Sequence, residues 1–283
     1  MTNKFAEPWK IYMQNYDKYY WQPGKPTEDE KRIFYRLYKN ALEQSNSEKK
    51  KALVLGCTPA LRDELAKLDV EVTCLDLDRG IFDVMSTLIS HDKKENFMKG
   101  DWTSIPFENN GFDIVTGDLA QGNIMYKNKQ KFFSEVKRVL KPTGRFIHRI
   151  FVFPDKWAFK TAEDVFEEFI KLDDSCDRST ELLCYFFYTA NDSSSNEVDT
   201  QRIKEMIKPY WKDGKYHHGN PKIELLLNRM YKMYGPFEKV WCTAKKDVVF
   251  SWISEYFDIV EEIHANDHIM ATTFFFVDCK PNI

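Results

Sequence analysis

The sequence predicts an α/β fold: a doubly wound, mostly parallel seven-stranded sheet with N-terminal helices and a helical cap inserted before the last two strands. Three observations support this prediction. Short apolar runs alternate with helical patterns up to residue 153, and about ninety residues with only helical patterns follow. Two further apolar runs then close the chain and complete the predicted sheet.

The composition argues against nucleic-acid-binding, membrane-spanning and metal-binding proteins. The 283 residues are enough for a substantial core, and the net charge of −3 provides no basic field for a nucleic-acid partner. No apolar run reaches the roughly 20 residues of a membrane helix, and the N-terminus has no signal-peptide segment. The 6 cysteines form no Cys-x-x-Cys pair. We therefore expect a cytoplasmic protein with reduced thiols, without a bound metal and without a membrane partner.

Residues 1–50 are predicted to form an N-terminal helical lid. Aromatic residues recur at spacings of three and four over residues 5–21, the pattern of an amphipathic helix. Pro23-Gly24-Lys25-Pro26 ends that pattern. Thr27 and Glu30 then match a capping box, which predicts a second helix running to about Gln44.

Residues 51–153 are predicted to form the α/β core. Short apolar runs bounded by turn residues predict strands, and the segments between them predict helices that cover both faces of a parallel sheet. The predicted strands are 52–56, 70–76, 96–99, 112–117 and 144–153, and the predicted helices lie near 60–68, 79–90 and 128–140.

The remainder divides into a cap and the end of the sheet. Residues 154–245 show helical stripes and no strand pattern, which predicts a helical cap insertion on the substrate side. Residues 246–283 are predicted to complete the core with a helix over 246–256 and antiparallel strands over 257–264 and 269–279. His264 and His268 lie in the predicted turn between these strands, so helical zinc spacing does not apply to them.

A glycine turn and a distant carboxylate predict a nucleoside site. The strand Ala52-Leu53-Val54-Leu55 runs into Gly56, and Asp76 ends the next strand, 20 residues after Gly56. In a doubly wound sheet, a carboxylate at that place receives the two hydroxyls of a ribose.

The loop after the first strand distinguishes between nucleoside cofactors. A dinucleotide site needs three glycines, whereas this loop has only Gly56, and Pro59 removes a backbone donor. No phosphate-binding Gly-x-x-x-x-Gly-Lys-Ser/Thr loop is present. S-adenosylmethionine carries no phosphate, so a single glycine suffices for it. Asp101 and Trp102 would provide the adenine with an acceptor and an apolar wall.

The order of these motifs resembles the class I S-adenosylmethionine-dependent methyltransferases. The motifs are Val54-Leu55-Gly56-Cys57-Thr58-Pro59, Leu75-Asp76-Leu77-Asp78, Gly100-Asp101-Trp102 with Pro106-Phe107, Phe112-Asp113-Ile114-Val115, and Val139-Leu140-Lys141-Pro142-Thr143-Gly144. The loop departs from the family pattern, because a later glycine is missing from Cys57-Thr58-Pro59.

The resemblance implies a role for each matching position. Gly56, Cys57 and Thr58 would lie under the methionine part of the cofactor, and Asp76 would bind the ribose. Leu77 would contact the face of the adenine. Asp101 would lie at the amino edge of the adenine and Trp102 at its ring. Asp118 and Leu119 would face the sulfonium. A leading helix often covers the cofactor in this family, which makes Tyr16 and Tyr20 candidate lid residues.

Each candidate also has an ordinary structural interpretation. Asp76 could cap the helix near Arg79, Asp101 could be a turn residue, and Asp118 could be a solvated loop carboxylate. Cys57 could only fill a tight turn, and Tyr16 and Tyr20 could be core residues. His217 and His218 are either a general base or a surface pair, and His148 is expected to be packed in its strand. No catalytic residue is identified.

Four functional hypotheses remain open. The leading one is in-line methyl transfer to a small-molecule acceptor, with S-adenosylhomocysteine as product. A second is another reaction of the same cofactor, either ring closure or transfer of the aminobutyl arm with release of methylthioadenosine. A third is a non-catalytic binding protein on the same fold. A macromolecular acceptor is disfavoured, because Asp118-Leu119-Ala120-Gln121 lacks the Asn/Asp-Pro-Pro-Tyr/Phe of nucleic-acid amino methylation. The acceptor and the oligomeric state are not predicted.

Overall fold

A computed structural model describes residues 16, 22–171, 179–234 and 239–282. The predicted helix over residues 5–21 therefore lies outside the described residues, apart from Tyr16. Every structural statement below concerns the described part of the chain.

Helix α1 (Glu28–Gln44) begins at the predicted capping box. Thr27 Oγ1 accepts a hydrogen bond from the backbone N–H of Glu30, and a Glu30 carboxylate oxygen accepts one from the N–H of Thr27 at 2.8 Å. The apolar face of the helix, which includes Phe34 and Tyr38, is buried against the sheet. Tyr38 also hydrogen-bonds Thr116 of the sheet at 2.8 Å between the two hydroxyl oxygens.

Five parallel strands and three helices form the core between residues 51 and 151. The strands are β1 (Lys51–Leu55), β2 (Glu71–Asp76), β3 (Asn96–Lys99), β4 (Phe112–Asp118) and β5 (Leu140–Phe151), and the helices are α2 (Pro59–Ala66), α3 (Arg79–Met85) and α4 (Lys129–Val139). Strand β1 pairs with β2 on one side and with β4 on the other, so the strand order reverses at β1. Ligands of open α/β sheets bind in the crevice at such a point, outside the carboxyl ends of the strands.

The cap contains the predicted helices and, in addition, short strands for which the sequence showed no pattern. Its helices are α5 (Ala162–Ile170), α6 (Ser179–Ala190), α7 (Thr200–Ile207) and α8 (Pro221–Tyr234), and its strands are β6 (Asn191–Asp192), β7 (Glu197–Asp199), β8 (Trp211–Lys212), β9 (Lys215–Tyr216) and β10 (Val240–Cys242). Strands β6, β7 and β10 form one antiparallel sheet, and β8 pairs with β9. Strands of two or three residues are too short to show a period of two in the sequence.

The last elements complete the main sheet as predicted. Helix α9 (Lys246–Ser254) leads to β11 (Phe257–Ile263), and β12 (Phe274–Pro281) runs antiparallel between β5 and β11. The full strand order is β11-β12-β5-β4-β1-β2-β3. The connection from β11 to β12 is longer than predicted, because residues 264–273 form turns and the last strand begins at Phe274.

Three apolar cores hold the described residues together. One lies between the sheet and α1, α2 and α3, and a second lies on the opposite face beneath α4 and α9. The third belongs to the cap, where Phe166, Phe169 and Phe186 are almost fully buried. Phe153 and Phe274 connect this cap core to the edge of the sheet. No helix in the described ranges has the combination of length and apolar character that crossing a bilayer requires.

Candidate functional site

The turn after β1 forms an open cradle at the carboxyl edge of the sheet. Gly56 has a φ of +97°, a backbone conformation that favours glycine, and its N–H donates to the carbonyl of Leu75 at 2.9 Å. A Cβ placed on Gly56 would lie 3.6 Å from the Trp102 ring and 4.0 Å from Asp76 Oδ2. Cys57 is buried directly behind the turn, and Thr58 precedes α2, which begins at Pro59.

Asp76 ends β2 with its carboxylate beside this cradle. Burial raises the pKa of Asp76 to about 6, and hydrogen bonds from the backbone N–H groups of Asp78 and Leu77 oppose that rise. The N-cap of α3 is Asp78, whose side chain accepts from the N–H of Gly80 at 2.7 Å. Helix capping therefore does not account for Asp76. Leu77 is 42% exposed at the same edge, which fits an apolar ligand-contacting position.

Asp101 and Trp102 follow β3. Asp101 Oδ1 accepts hydrogen bonds from the backbone N–H and the hydroxyl of Thr103, at 2.7 and 2.8 Å, so part of this carboxylate stabilises its own turn. The indole of Trp102 donates to the carbonyl of Leu75 at 2.7 Å and lies against Gly56. The Trp102 ring thus lies directly beside the glycine turn.

Asp118 ends β4, and its carboxylate is part of an internal ion pair. Asp118 Oδ1 accepts from Nη1 of Arg149 at 2.8 Å, and the Asp118 side chain is only 4% exposed. Arg149 therefore balances the charge of this carboxylate, and its burial contradicts the alternative of a solvated loop carboxylate. Only the backbone of Asp118 stays at the sheet edge.

Leu119, next along the chain, has a φ of +54°, which is strained for a residue with a large side chain. Its N–H donates to the carbonyl of Arg149 at 2.9 Å, and its side chain packs against the cap core. Leu119 therefore lies where the sheet edge meets the cap.

Arg149 also joins the N-terminal helix to this edge. Its Nε donates to Glu30 Oε1 at 2.8 Å, and His268 Nε2 lies 3.3 Å from the same oxygen. Although burial would lower the pKa of Arg149, the Glu30 and Asp118 carboxylates raise it above its ordinary value. Burial likewise opposes ionisation of Glu30, but Arg149 and His268 hold its pKa below the ordinary value. All four residues are fixed by this network.

Lys239 of the cap reaches the same edge, and sequence reasoning missed it. Its Nζ donates to Asn123 Oδ1 and lies 3.7 Å from the centre of the Trp241 ring. Burial lowers the pKa of Lys239 well below its ordinary value, and the charge of Asp76 opposes that shift. Lys239 belongs to no motif, so no local signal in the sequence identifies it.

The remaining candidates lie elsewhere. Tyr16 packs in the core beneath α1, with Lys25 Nζ 5.6 Å from the centre of its ring, and Tyr20 lies outside the described residues. His148 is fully buried in β5, as expected, and burial lowers its pKa to about 3. His218 packs inside the cap against Phe166, with ring centres 4.5 Å apart.

Part of the chain matches a family of known proteins. A model of the family described as "Methyltransferase domain" matches residues 53–148, the segment that contains β2 to β4 and most of β1 and β5. This segment includes the glycine turn, Asp76, Asp101 and Asp118, which the structure places along one edge of the sheet.

Two curated relatives are named demethylmenaquinone methyltransferase. The protein from Clavibacter sepedonicus is 31% identical over 83 residues, which cover 29% of this chain and 33% of that protein. The protein from Renibacterium salmoninarum is 27% identical over 182 residues, covering 63% of this chain and 73% of that protein. The matched segment thus spans about a third of the first relative and about three quarters of the second.

A solved structure agrees with the architecture. An S-adenosylmethionine-dependent methyltransferase from Clostridium acetobutylicum superposes with a TM-score of 0.52 at 13% identity, covering 97% of this chain and 99% of that one. At this identity the likeness shows the fold. Together with the family match and the glycine turn facing Asp76, it leads to one conclusion. The chain contains a methyltransferase domain, and its fold is that of the class I S-adenosylmethionine-dependent methyltransferases.

Proposed function

We propose that this protein transfers the methyl group of S-adenosylmethionine to a small-molecule acceptor that the cap encloses. The proposal rests on one observation: the core and the cap come together at the carboxyl edge of the sheet. The core contributes the Gly56 cradle and the Asp76 carboxylate, and the cap brings Lys239 close enough for its charge to act on Asp76. An enclosed site of this kind is better suited to a small acceptor than to a polymer.

The residues of the sheet edge fit the cofactor. Gly56, Cys57 and Thr58 would lie beneath its methionine part, and Asp76 would accept hydrogen bonds from the ribose hydroxyls. Leu77, Asp101 and Trp102 would surround the adenine, with the Trp102 ring moving away from Gly56 to admit the ligand. Asp118, through its backbone, and Leu119 would lie on the sulfonium side. Tyr16 and Tyr20 stay proposals as lid residues over this site.

The chemistry divides between cofactor and protein. S-adenosylmethionine supplies a methyl group that is already activated by its positive sulfur. The protein has to hold the acceptor in line with that methyl group and exclude water, which are effects of position and enclosure. We assign the alignment of the acceptor to the core, residues 51–153, together with the cap, residues 154–245. We assign the exclusion of water to the aromatic residues where the cap packs on the core.

The cap face suggests the kind of acceptor. Phe151, Phe187 and Trp241 lie next to one another beside Leu119, with ring centres 6.2 Å apart for Phe151 and Phe187 and 5.9 Å apart for Phe187 and Trp241. Flat apolar molecules pack well against such a surface. The names of the two curated relatives refer to a quinone acceptor, which is a molecule of this type.

Calorimetric titration with S-adenosylmethionine and S-adenosylhomocysteine tests the cofactor assignment. We expect the variant Asp76→Ala to bind both ligands at least about tenfold more weakly, a loss of about 1.4 kcal/mol. Asp83→Ala is the matched control, because Asp83 lies on α3 in an exposed pair with Arg79 and should leave binding unchanged. Failure of the folded wild type to bind either ligand would contradict the proposal.

Product analysis separates the reaction classes. Incubation with an acceptor should release S-adenosylhomocysteine. Release of methylthioadenosine would instead favour chemistry on the aminobutyl arm and would overturn the assignment of methyl transfer.

A further inference from the structure

The thiols of Cys57 and Cys74 lie together behind the glycine turn. Cys74 belongs to β2, and Cys57 follows Gly56, whose N–H donates to the carbonyl of Leu75 in the same strand. Both cysteines are free, buried and part of the same apolar core, and the Cys57 thiol hydrogen-bonds that of Cys74. The turn therefore places two reduced thiols within reach of one another.

The two cysteines differ in how firmly the backbone holds them. Cys74 lies in register with Val54 of β1 on one side and with Phe97 of β3 on the other, so the sheet fixes its position. Cys57 belongs to the turn between β1 and α2, outside any strand or helix. A movement that brings the two sulfur atoms closer therefore has to occur in the turn, the segment proposed to lie beneath the methionine part of the cofactor.

A buried guanidinium group lies beside the pair. Arg62 of α2 donates through Nε and Nη2 to the Glu95 carboxylate, and its Nη2 also donates to the Ser86 hydroxyl at 2.8 Å. Its Nη1 is buried and donates no hydrogen bond within the described part of the chain. Although burial would lower the pKa of Arg62, the Glu95 carboxylate and negative charge on either thiol raise it. The guanidinium group is therefore placed to stabilise negative charge that forms on these sulfur atoms during a reaction.

We propose that Cys57 and Cys74 form a redox-modifiable pair, which a peroxide oxidises to a disulfide that closes the cofactor site. Hydrogen peroxide first oxidises one thiol to a sulfenic acid, and one water molecule is released. The other thiol then attacks that sulfur, the S–S bond forms, and a second water molecule leaves. The two sulfur atoms together lose two electrons, which reduce the peroxide. The effect on the cofactor rests on the proposed function, whereas the formation of the bond does not.

Proximity drives the second step and causes the change in the turn. The hydrogen bond to Cys74 and burial raise the pKa of Cys57, so the resting pair consists of protonated thiols and the first oxidation is slow. Once one sulfur is oxidised, its neighbour is already in position, and the capture is intramolecular. A disulfide brings two sulfur atoms much closer than a thiol hydrogen bond does. Because the sheet holds Cys74, the turn that contains Gly56 and Thr58 has to shift and would no longer fit beneath the cofactor.

Peptide mapping detects the bond directly. The reduced protein is treated with hydrogen peroxide, denatured in the presence of iodoacetamide and cleaved with trypsin. We expect the peptides 52–62 and 68–79, which contain Cys57 and Cys74, to form one species that is lighter than their sum by the two thiol hydrogens. Dithiothreitol should separate them again. Cys279→Ala is the matched control, because Cys279 is also a free, buried cysteine and its removal should leave the cross-link unchanged.

Calorimetric titration measures the consequence for the cofactor. The oxidised wild type should bind S-adenosylhomocysteine at least about tenfold more weakly than the reduced protein, and dithiothreitol should restore the affinity. Cys74→Ala should bind equally well before and after peroxide, because Cys57 then has no neighbouring thiol. Cys74→Val provides a second variant in case Cys74→Ala does not fold.

Three results would overturn the redox pair: separate alkylated peptides after peroxide, unchanged affinity of the cross-linked protein, or an equal loss of affinity in folded Cys74→Ala. The last result would assign the loss to oxidation elsewhere in the chain. The reduced wild type distinguishes the two levels of inference. Absence of S-adenosylhomocysteine binding by the reduced protein would contradict the proposed function, whereas normal binding without the cross-link would contradict only the redox pair.

Discussion

Glu30 and Arg149 form an ion pair at 2.8 Å in which neither side chain has any exposure to solvent. Glu30 also completes the capping box of α1, and Arg149 also binds Asp118 at the end of β4. One guanidinium group therefore connects the first described helix with the strand end that borders the proposed cofactor site.

Removal of that guanidinium should be strongly destabilising. Arg149→Met leaves the Glu30 and Asp118 carboxylates buried without their partner, so we expect the free energy of unfolding to fall by about 3–5 kcal/mol. Urea denaturation followed by circular dichroism measures this loss. Arg36→Met is the control, because the Arg36–Glu261 pair is exposed and should contribute less than about 1 kcal/mol. Equal losses in the two variants would show that the buried pair has no special role.

The raised pKa of Asp76 predicts a pH dependence of cofactor binding. The carboxylate is ionised above about 6 and protonated below it, and only the ionised form accepts hydrogen bonds from both ribose hydroxyls. The affinity for S-adenosylhomocysteine should therefore fall as the pH decreases through about 6. Calorimetry over a pH series measures this change. Asp76→Asn should bind weakly with no such step, and a step of the same size in that variant would assign the titration to another group.

The raised pKa of Asp76 also affects the stability of the ligand-free protein. Cofactor affinity should increase as the pH rises, whereas this contribution to stability should decrease. A carboxyl group whose folded pKa is raised disfavours the folded state once it ionises. The contribution of Asp76 to stability should therefore be lost as the pH rises from its ordinary value of 3.8 to about 6. Urea denaturation of the wild type and Asp76→Asn at several pH values measures it. A difference between the two that does not change with pH would contradict the pKa shift.

The conformation of Gly56 predicts a selective loss of binding. An alanine at a φ of +97° is strained, so Gly56→Ala should lose about 1–2 kcal/mol of stability and also bind the cofactor more weakly. Gly214→Ala is a matched control, because Gly214 also has a positive φ, +78°, and a Cβ there would meet nothing within 4 Å. Thermal denaturation and calorimetry compare the two variants. Unchanged cofactor affinity in Gly56→Ala would exclude this turn from the site.

The place of the Trp102 ring against Gly56 predicts an optical signal. Entry of the cofactor should displace the indole from its hydrogen bond with Leu75 and change the tryptophan emission. Titration of S-adenosylhomocysteine should show a smaller change in Trp102→Phe than in the wild type. Trp252→Phe serves as control, since Trp252 lies near Tyr126, and it should retain the full change. A full response in Trp102→Phe would show that the ring stays in place.

Local patterns in the sequence determined the main sheet. Most of its seven strands contain short apolar runs, and α1 begins at a capping box; both are properties of neighbouring residues. The glycine turn and Asp76 were also predictable, because parallel strands bring their carboxyl ends to one edge. The resemblance to a methyltransferase family rested on the order of these local motifs.

Only the tertiary structure decided which partners the polar side chains have. Arg149 binds Glu30, 119 positions away, and Lys239 binds Asn123, 116 positions away. These pairs depend on how the cap and α1 pack on the sheet, and the side-chain periodicity of a single segment carries no information about that packing. For the same reason the sequence did not predict that the buried Asp118 carboxylate has an internal partner in Arg149.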